Sequence, residues 1–411
     1  MTTPEFDLVV FGATGFAGRL VSRHLSERRD LAPTFKWAVA GRSKSKLAAL
    51  RTSLGSGSSV PGAIVADAHD PRSLNSLCSR TRVVITTVGP YALYGDRLVA
   101  ACVANGTDYC DLSAEFSWIR RMIDRHQGEA ERTGARLVHC CGFDSIPSDL
   151  GVYVLQSLAK KRFGSPCRRI KMRVKRLRGG ISGGTFASML NLFEEAAADP
   201  GLRTELKDPY SLCPPARRPK NTPRAASFPA FDADFDAWTS PFIMAAINTR
   251  IVHRTNALLG HAYGAEFLYD EASLTGRGWR GRMKALRATG LLAGFVRAAS
   301  RPATRRWLEK WGPEPGTGPD AEKRSRGCFD LRFLGQTADG NRLQLSVAGD
   351  EDPGYGSTGR MLAEAGLEMI ASRCEGTGPG GFFTPASLFG DALVPPLERH
   401  AGLRFEPEDA R

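Results

Sequence analysis

The stretch Phe6-Asp-Leu-Val-Val-Phe-Gly-Ala-Thr-Gly-Phe-Ala-Gly18 decides how the first part of this chain folds. A short apolar run ends at Gly12, and Gly15 and Gly18 follow before a segment with helical spacing of its apolar residues. Glycines let backbone N–H groups approach phosphate oxygens, and a helix N-terminus supplies unpaired donors. A plain tight turn is the alternative, but the place between strand and helix favours a dinucleotide. The predicted cofactor contacts here are Gly12, Ala13, Thr14, Gly15, Phe16 and Gly18.

The second predicted strand, residues 35–40, ends at Gly41-Arg42-Ser43. In a doubly wound sheet this strand tip meets the adenosine ribose, where an Asp or Glu would accept a hydrogen bond from the 2′-hydroxyl of NAD(H). The tip carries no acid. Arg42 and Ser43 suit a 2′-phosphate instead, because arginine makes charge-assisted hydrogen bonds to phosphate. The sequence therefore favours NADP(H); a basic helix start on the surface, the alternative, would leave the missing acid unexplained.

Residues 1–162 alternate strand and helix signals, which predicts a Rossmann-type, doubly wound parallel sheet. The third strand ends at Asp67, which we interpret as an adenine contact or as an ordinary strand-end cap. The fourth, residues 83–88, is rich in β-branched residues and should be buried on both faces. Its end is predicted to contact the nicotinamide half of the cofactor, and a Gly-Pro turn with a packed aromatic is the alternative. The residues concerned are Val88, Gly89 and Pro90, with Tyr91 as a candidate catalytic phenol.

A further strand, residues 136–141, leads into Gly142-Phe-Asp-Ser-Ile-Pro-Ser-Asp149. Asp144 and Ser145 are expected at the carboxyl edge of the sheet, where open α/β sheets bind ligands, so both are candidate catalytic residues. Pro147 and the polar residues after it also resemble a helix start. Asp144 could therefore be a cap rather than a site residue.

From residue 163 to residue 355 the pattern predicts an α+β substrate domain. Residues 170–175 alternate apolar and basic side chains, and residues 329–333 and 343–347 alternate on either side of a polar Asp-Gly loop. Two such strands joined by a short polar loop form a hairpin. We therefore expect an antiparallel sheet here, and we expect residues 356–411 to return to the first domain.

Three segments of the second domain are candidates for substrate contact. Ser182-Gly-Gly-Thr185 is either a loop facing the nicotinamide, with Thr185 as a candidate catalytic residue, or a glycine turn leading into a helix. Residues 199–240, rich in Pro, Asp and Arg, are interpreted as a long excursion or a lid. Residues 248–254 are interpreted as a strand, with the polar Asn248, Arg250 and Arg254 on one face.

The formal net charge of +13 is unevenly distributed along the 411 residues. Residues 160–178 contain ten Lys/Arg and no acid, and residues 277–326 contain thirteen Lys/Arg and four acids. Such patches attract anionic partners without specifying them. Neither carries a nucleic-acid-binding signature, so nucleic acid is not an expected partner. The nine cysteines form no Cys/His cluster with metal-ligand spacing, so no metal site is predicted.

Residues 284–311 combine a short apolar patch with flanking arginines. The patch is far too short to span a bilayer, but a basic amphipathic helix can lie on an anionic membrane surface. A helix docked on its own domain or at a dimer interface is the alternative. With neither a signal peptide nor a long apolar run, we expect a cytoplasmic location, with peripheral membrane contact through this segment as the further hypothesis. The flanking cations are Arg287, Arg297, Arg301, Arg305 and Arg306.

Several motifs together identify a family. The chain resembles the saccharopine dehydrogenase-like family, and most closely its branch of trans-acting enoyl reductases and saccharopine dehydrogenase-like oxidoreductases. The resemblance implies a two-domain, NADP(H)-dependent reductase and extends nearly from end to end. The motifs are Gly-Ala-Thr-Gly-Phe-Ala-Gly18, Ala40-Gly-Arg-Ser43, Thr87-Val-Gly-Pro-Tyr91, Cys141-Gly-Phe-Asp-Ser-Ile-Pro-Ser-Asp149, Ser182-Gly-Gly-Thr185, Asn248-Thr-Arg-Ile-Val252 and Thr384-Pro-Ala386.

The same resemblance implies reduction of a carbon–carbon double bond in a lipid or polyketide acyl chain, on a small-molecule or carrier-bound substrate. No Tyr-x-x-x-Lys motif occurs, which excludes the proton relay of short-chain dehydrogenases. The candidates for proton donor or oxyanion contact remain Tyr91, Asp144, Ser145 and Thr185. Two alternatives stay open: an imine or amino-acid oxidoreductase, with Arg250 or Arg254 on the substrate carboxylates, and a non-catalytic NADP-binding protein on lipid surfaces. We also expect a homo-oligomer.

Overall fold

The computed structural model contains two seven-stranded sheets with helices packed around them. It describes residues 4–55, 60–180, 183–219, 228–312, 318–374 and 378–408. The strands are β1 (Phe6–Phe11), β2 (Trp37–Gly41), β3 (Gly62–Val65), β4 (Thr81–Thr86), β5 (Asp108–Asp111), β6 (Arg136–Val138), β7 (Cys167–Arg178), β8 (Ala230–Asp232), β9 (Ala237–Pro241), β10 (Leu268–Gly276), β11 (Cys328–Thr337), β12 (Arg342–Gly349), β13 (Gly381–Phe383) and β14 (Leu403–Glu408).

Helices connect these strands and cover both sheets. They are α1 (Phe16–Glu27), α2 (Lys44–Ser53), α3 (Pro71–Cys78), α4 (Tyr91–Tyr94), α5 (Asp96–Asn105), α6 (Phe116–Thr133), α7 (Ile146–Phe163), α8 (Gly183–Ala198), α9 (Pro200–Glu205), α10 (Ala245–Leu258), α11 (Gly278–Ala299), α12 (Pro302–Trp311), α13 (Ala321–Ser325), α14 (Gly356–Cys374), α15 (Pro385–Phe389) and α16 (Val394–His400). The described ranges also contain two 3-10 turns, Pro215–Arg217 and Gly390–Leu393.

The first sheet has the order β13-β6-β5-β4-β1-β2-β3, and its described strand pairs are all parallel. The apolar runs of β1 and β4 are buried on both faces because helices cover the two sides. The predicted Rossmann-type sheet is confirmed. Strand β1 lies between β2 and β4, so the chain order reverses at β1 and a crevice forms at the carboxyl ends of β1 and β4.

The second sheet has the order β14-β12-β11-β7-β10-β9-β8. The predicted hairpin is present, with Phe333 opposite Leu345 across β11 and β12. The sheet is antiparallel except for one pair, since β7 and β10 run parallel. The segment between those two strands contains α8 to α10 and the β8–β9 hairpin. This long crossover lets β10 align parallel to β7.

Residues 248–254 form part of helix α10, so the strand interpretation was wrong. Ile247 and Ile251, four positions apart, are buried against the first sheet, and this spacing marks one helix face. Arg250 and Arg254 are also four apart and are buried as well. Because buried polar residues stand among the apolar ones, the apolar residues of α10 alone do not show a helical period.

The chain after residue 356 contacts both sheets. Helix α14 packs on α1, where buried Glu364 bonds His24 Nε2 at 2.6 Å and also bonds Arg28. Strand β13 pairs with β6 in the first sheet, whereas β14 pairs with β12 in the second. The boundaries 1–162, 163–355 and 356–411 stay a prediction, and β14 shows that the last segment is shared between the sheets.

Candidate active site

A cavity of about 590 Å³ occupies the crevice at the carboxyl ends of β1 and β4. Its floor is the first sheet and its opposite wall comes from α8, α10 and the segment before α14. Of the predicted site residues it is lined by Gly12, Thr14, Gly15, Phe16, Arg42, Asp67, Val88, Gly89, Tyr91 and Asp144. Ala13, Gly18, Ser43, Pro90 and Ser145 lie beside it without lining it.

The glycine turn brings α1 against the end of β1. Gly12 has a φ of +83°, and a Cβ there would lie 2.6 Å from the Val88 side chain. A Cβ on Gly18 would lie 2.2 Å from the Gly12 carbonyl oxygen, so α1 crosses the turn at a distance only glycine permits. Gly15 caps α1 with no side-chain partner, and the first turn of α1 carries no acid. The N-terminus of α1 is therefore suited to an anionic pyrophosphate.

Arg42 lies at the tip of β2, exposed and lining the cavity. Within the described ranges its guanidinium makes no ion pair, so it is available to a 2′-phosphate. Ser43 accepts a hydrogen bond from Lys46 N at 3.3 Å and caps α2. Asp67 Oδ1 accepts from His69 N at 2.9 Å, which holds the loop after β3. Asp67 thus combines the strand-end cap with a place on the cavity wall.

The phenol of Tyr91 is fully engaged by the backbone. It donates to the Thr86 carbonyl oxygen and accepts from Leu112 N, both at 3.1 Å. Burial raises the pKa of Tyr91 well above 10. The Tyr91 ring lines the cavity, but its proton is bound inside the domain, which argues against Tyr91 as the proton donor.

Glu115 joins the two sides of the cavity. Its carboxylate accepts from the backbone N–H groups of Tyr91 and Ala92, both at 2.8 Å, and from Ser188 Oγ of α8 at 2.7 Å. Burial raises the pKa of Glu115 against the opposing effect of these hydrogen bonds. With both carboxylate oxygens engaged, Glu115 connects α8 to the backbone of the first domain and positions α8 over the sheet.

Asp144 is the carboxyl group best placed for proton transfer. It is half-buried and lines the cavity, and burial raises its pKa to about 7. No hydrogen bond engages its carboxyl group from the described part of the chain. A carboxylic acid with a pKa near neutrality can hold and release a proton under working conditions.

Ser145 faces away from this cavity into a buried polar chain. Its hydroxyl donates to Asn248 Oδ1 at 3.0 Å, and Asn248 Nδ2 donates to Glu271 at 3.0 Å. Tyr269 donates to the other oxygen of Glu271 at 2.6 Å. Burial raises the pKa of Glu271 to about 7. This chain fixes α10 between α7 and β10, so Ser145 acts on the position of its neighbour Asp144.

Thr185 falls in α8, but its side chain lies outside the described residues, as does Ser182.

The sequence did not predict most of the wall opposite the first sheet. Tyr355 packs edge to face on Phe16, with ring centroids 4.6 Å apart. The lining residues of this wall belong to no recognisable sequence motif, and they reach the crevice only because the helices pack there. The missed lining residues include Ser188, Met189, Leu192, Met244, Ile247, Tyr355 and Thr358.

Arg250 and Arg254 do not converge on the cavity. Arg250 donates to the Leu206 carbonyl oxygen at 2.9 Å and to Ser211 Oγ at 3.0 Å. Arg254 donates to the carbonyl oxygens of Leu212 and Phe382 at 2.5 and 2.7 Å. Burial lowers the pKa of each arginine to about 10. Both guanidinium groups therefore brace the chain around α10.

Comparison with known proteins agrees with this geometry. Residues 8–138 match the family model described as the saccharopine dehydrogenase NADP binding domain. Trans-acting enoyl reductases from Mycobacterium tuberculosis and Mycobacterium leprae are 37% and 36% identical, with 95% of each chain covered. A further Mycobacterium tuberculosis protein, whose name assigns it the same activity provisionally, is 39% identical over 96% of this chain and 95% of its own.

The chain belongs to the saccharopine dehydrogenase-like family. The apo saccharopine dehydrogenase (L-Glu forming) from Saccharomyces cerevisiae shares the fold, with a TM-score of 0.53 at 14% identity over 98% of this chain and 99% of that one. The present chain therefore binds NADP(H) and is an NADP-dependent oxidoreductase. The uncapped N-terminus of α1, the glycine turn and the unpaired Arg42 fit that cofactor.

A second, larger cavity of about 1100 Å³ lies between α10, β10 and α11. Ala246 lines both cavities, so the second one adjoins the candidate active site. Apolar side chains such as Phe242, Leu292 and Val296 form much of its wall. The exposed cations Arg297 and Arg301 also line it.

Proposed function

We propose that this oxidoreductase reduces the carbon–carbon double bond of an enoyl thioester, with NADPH as hydride donor and an acyl chain of a lipid or polyketide as substrate. The observation that carries the proposal is Asp144, which lines the NADP(H) cavity, has a pKa that burial raises to about 7, and makes no hydrogen bond through its carboxyl group within the described ranges. The names of relatives at 36–37% identity support the enoyl assignment.

The second cavity supports an acyl substrate. Its apolar wall suits a hydrocarbon chain, which gains free energy by leaving water. Arg297 and Arg301 suit the phosphate groups of a phosphopantetheine or coenzyme A carrier. Since Ala246 borders both cavities, a chain in the second cavity could place its double bond in the first.

Bound NADPH supplies a hydride for the β-carbon of the substrate. Asp144, protonated below its pKa of about 7, holds the proton that the α-carbon needs and lines the same cavity as Gly12 and Gly89. The chain Ser145–Asn248–Glu271 fixes the backbone next to Asp144. The contact between Glu115 and Ser188 holds α8 over the cavity, which limits the access of water to the reacting atoms.

An imine oxidoreductase is the weaker candidate. Such an enzyme must hold the carboxylates of an amino-acid substrate. Arg254 lines neither cavity and bonds carbonyl oxygens. Arg250 lines the second cavity, but its guanidinium is occupied by the Leu206 carbonyl oxygen and Ser211 Oγ. Arg42 lines the first cavity at the tip of β2, where we expect the adenosine ribose and not the reacting atoms. A non-catalytic NADP-binding protein would have no need for a carboxyl group with a pKa near 7 in the cavity.

The test is NADPH oxidation with enoyl thioesters of pantetheine, beside 2-oxo acids mixed with amines. Turnover of the enoyl substrates alone is expected. It should fall as pH rises through about 7, because Asp144 loses its proton. Asp144→Asn should lower kcat by roughly 10²–10⁴ and remove this pH dependence, while the Kd for NADPH stays unchanged.

Asp391→Asn is the matched control, because Asp391 is an exposed carboxylate in the turn Gly390–Leu393. It should leave kcat and the pH profile unaltered. Oxidation of NADPH with imine substrates and none with enoyl thioesters would refute the enoyl assignment. Full activity in Asp144→Asn would refute the role of Asp144 as proton donor but would leave the enoyl assignment intact.

A further inference from the structure

The N-terminal half of α11 carries large apolar side chains on its outer surface. Trp279 is 72% exposed, and Met283 and Leu286 are exposed with it. Their spacing of four and three residues places all three on one helix face. Leu291, five residues after Leu286 and on another face of the helix, is 77% exposed. A helix held only by its own domain would not present such a stripe to water, since exposing it costs hydrophobic free energy.

Helix α12, which packs on α11, repeats the pattern. Trp307 and Trp311 lie four residues apart, 61% and 71% exposed, with ring centroids 6.4 Å from each other. Pro302 begins this helix and Arg305 anchors it. Arg305 is buried and bonds Glu194 of α8 at 3.0 Å. The prediction that Arg305 is one of the surface cations flanking the apolar patch was therefore wrong. The anchor fixes which face of α12 the tryptophans present.

Cations surround these apolar groups. Residues 277–312 contain ten Lys/Arg and a single acid, Glu309. Apart from the buried Arg305 all of these cations are exposed. Arg280 lies over the Trp279 ring at 5.7 Å, which keeps a positive charge next to the exposed indole. We define the tryptophan–arginine surface as the outer faces of α11 and α12 with these side chains.

We propose that the tryptophan–arginine surface binds the interface of an anionic lipid bilayer. Exposed tryptophans and aliphatic side chains insert at the level of the lipid headgroups, and the surrounding Lys/Arg groups pair with lipid phosphates. No helix in the described ranges is long and apolar enough to cross a membrane, so the contact is peripheral. The proposal goes beyond the proposed catalytic function and does not depend on it.

The charge distribution favours lipid over a second copy of the chain. Pairing this surface with itself would oppose two sets of nine exposed cations with one acid in each, and like charges in contact are destabilising. Nucleic acid would also match the charge. It would not account for aliphatic side chains such as Leu286 and Leu291, which lie among the cations and offer no stacking face.

The test is co-sedimentation of the full-length protein with vesicles of phosphatidylcholine, with and without phosphatidylglycerol. Binding is expected only with phosphatidylglycerol and should weaken at high salt, because salt screens the headgroup charges. The double variant Trp307→Ser/Trp311→Ser should lower the partition coefficient at least roughly tenfold. Trp279→Ser/Leu286→Ser should do the same for α11. Arg287→Glu/Arg306→Glu should abolish the preference for phosphatidylglycerol.

Two matched controls distinguish specific binding through this surface from non-specific vesicle binding. Phe228→Ser removes an equally exposed aromatic elsewhere, and Arg29→Glu reverses an exposed cation on the first domain. Both should bind vesicles like the unmodified protein, and circular dichroism should show every variant folded. Absent or salt-independent vesicle binding would overturn the proposal. So would tryptophan variants that bind vesicles normally but change from oligomer to monomer in light scattering, which would make this surface a protein interface.

Discussion

At the scale of single residues, Arg42 determines which nicotinamide cofactor the cavity suits. It lies exposed at the tip of β2, on the cavity wall, with no carboxylate paired to it in the part of the chain that the structure describes. The strand tip itself carries no acid that could hold a ribose 2′-hydroxyl. The 2′-phosphate of NADPH can therefore pair with the Arg42 guanidinium. NADH has a hydroxyl at that position, so its binding should depend little on Arg42.

Arg42→Ala should weaken NADPH binding roughly 10–100-fold, since a charge-assisted hydrogen bond contributes about 1.5–3 kcal/mol. The Kd for NADH should stay within about twofold. Fluorescence titration with both cofactors measures the two effects. Arg29→Ala removes a cation that lies outside the cavity and should change neither Kd. An equal loss of affinity for both cofactors would mean that Arg42 supports the fold and not the 2′-phosphate.

Single residues also mark the limit of what the sequence predicts. The role of Arg42 could be predicted from the sequence, because the tip of this strand contacts the ribose in doubly wound sheets. The partners of Arg250 could not be predicted, since they are carbonyl oxygens of a distant segment around Leu206. A buried arginine that braces backbone and an arginine that binds substrate look alike in one sequence.

At the scale of elements, the packing of α1 on the end of β1 depends on Gly18. A Cβ there would approach the Gly12 carbonyl oxygen to 2.2 Å and the Ala13 Cα to 2.7 Å. Both neighbours are backbone atoms of the turn, so neither can rotate away. Any side chain at this position must push α1 off the turn whose N–H groups face the cofactor.

Gly18→Ala should therefore lower the free energy of unfolding by about 1–3 kcal/mol and weaken NADPH binding. Urea unfolding and cofactor titration measure the two effects. Gly128→Ala, in the middle of α6, is the matched control because a Cβ there meets nothing within 4 Å. It should stabilise the protein by about 0.5–1 kcal/mol and leave NADPH binding unchanged. If both variants behaved alike, the close approach would not matter.

The elements that the sequence predicted are those with strong local signals. The glycine turn after β1 has a characteristic spacing, β4 is a β-branched run, and the strands of the β11–β12 hairpin alternate apolar and polar residues. Helix α10 was misread because it is buried around most of its circumference, and its buried residues include Asn248, Arg250 and Arg254, whose polar groups bond distant partners. The parallel pairing of β7 with β10 depends on a crossover of about 90 residues, which no local pattern encodes.

At the scale of the whole molecule, α7 joins the two sheets. It begins at the crevice of the first sheet, packs on β11 and β12 of the second, and contacts α10 and α15. Asp149, in its first turn, ties these parts together. Its carboxyl group accepts from Thr255 Oγ1 of α10 at 2.5 Å and from Ala386 N of α15 at 2.8 Å. The Asp149 carboxyl group thus accepts from a backbone N–H group in the first turn of α15.

The ionisation of Asp149 makes stability depend on pH. Burial raises its pKa to about 7 in the folded protein, from the ordinary value of 3.8. The folded state then binds more protons than the unfolded state between these two values. The free energy of unfolding must therefore fall as pH rises from about 4 to about 7, and it levels off above that range. Asp144 and Glu271 act in the same direction, because burial raises the pKa of each to about 7.

Asp149→Asn replaces the neutral acid with a group of the same shape that cannot ionise. The amide can accept from Ala386 N and donate to the Thr255 hydroxyl, so the variant should match the unmodified protein at pH 5. Its relative stability should then grow by on the order of 2–3 kcal/mol up to pH 8, since one unit of pKa shift corresponds to about 1.4 kcal/mol. Urea unfolding at both pH values measures this change. Asp149→Ala, which loses both hydrogen bonds, should be destabilised already at pH 5. A difference between Asp149→Asn and the unmodified protein that stayed constant from pH 5 to pH 8 would mean that Asp149 keeps an ordinary pKa in the folded chain.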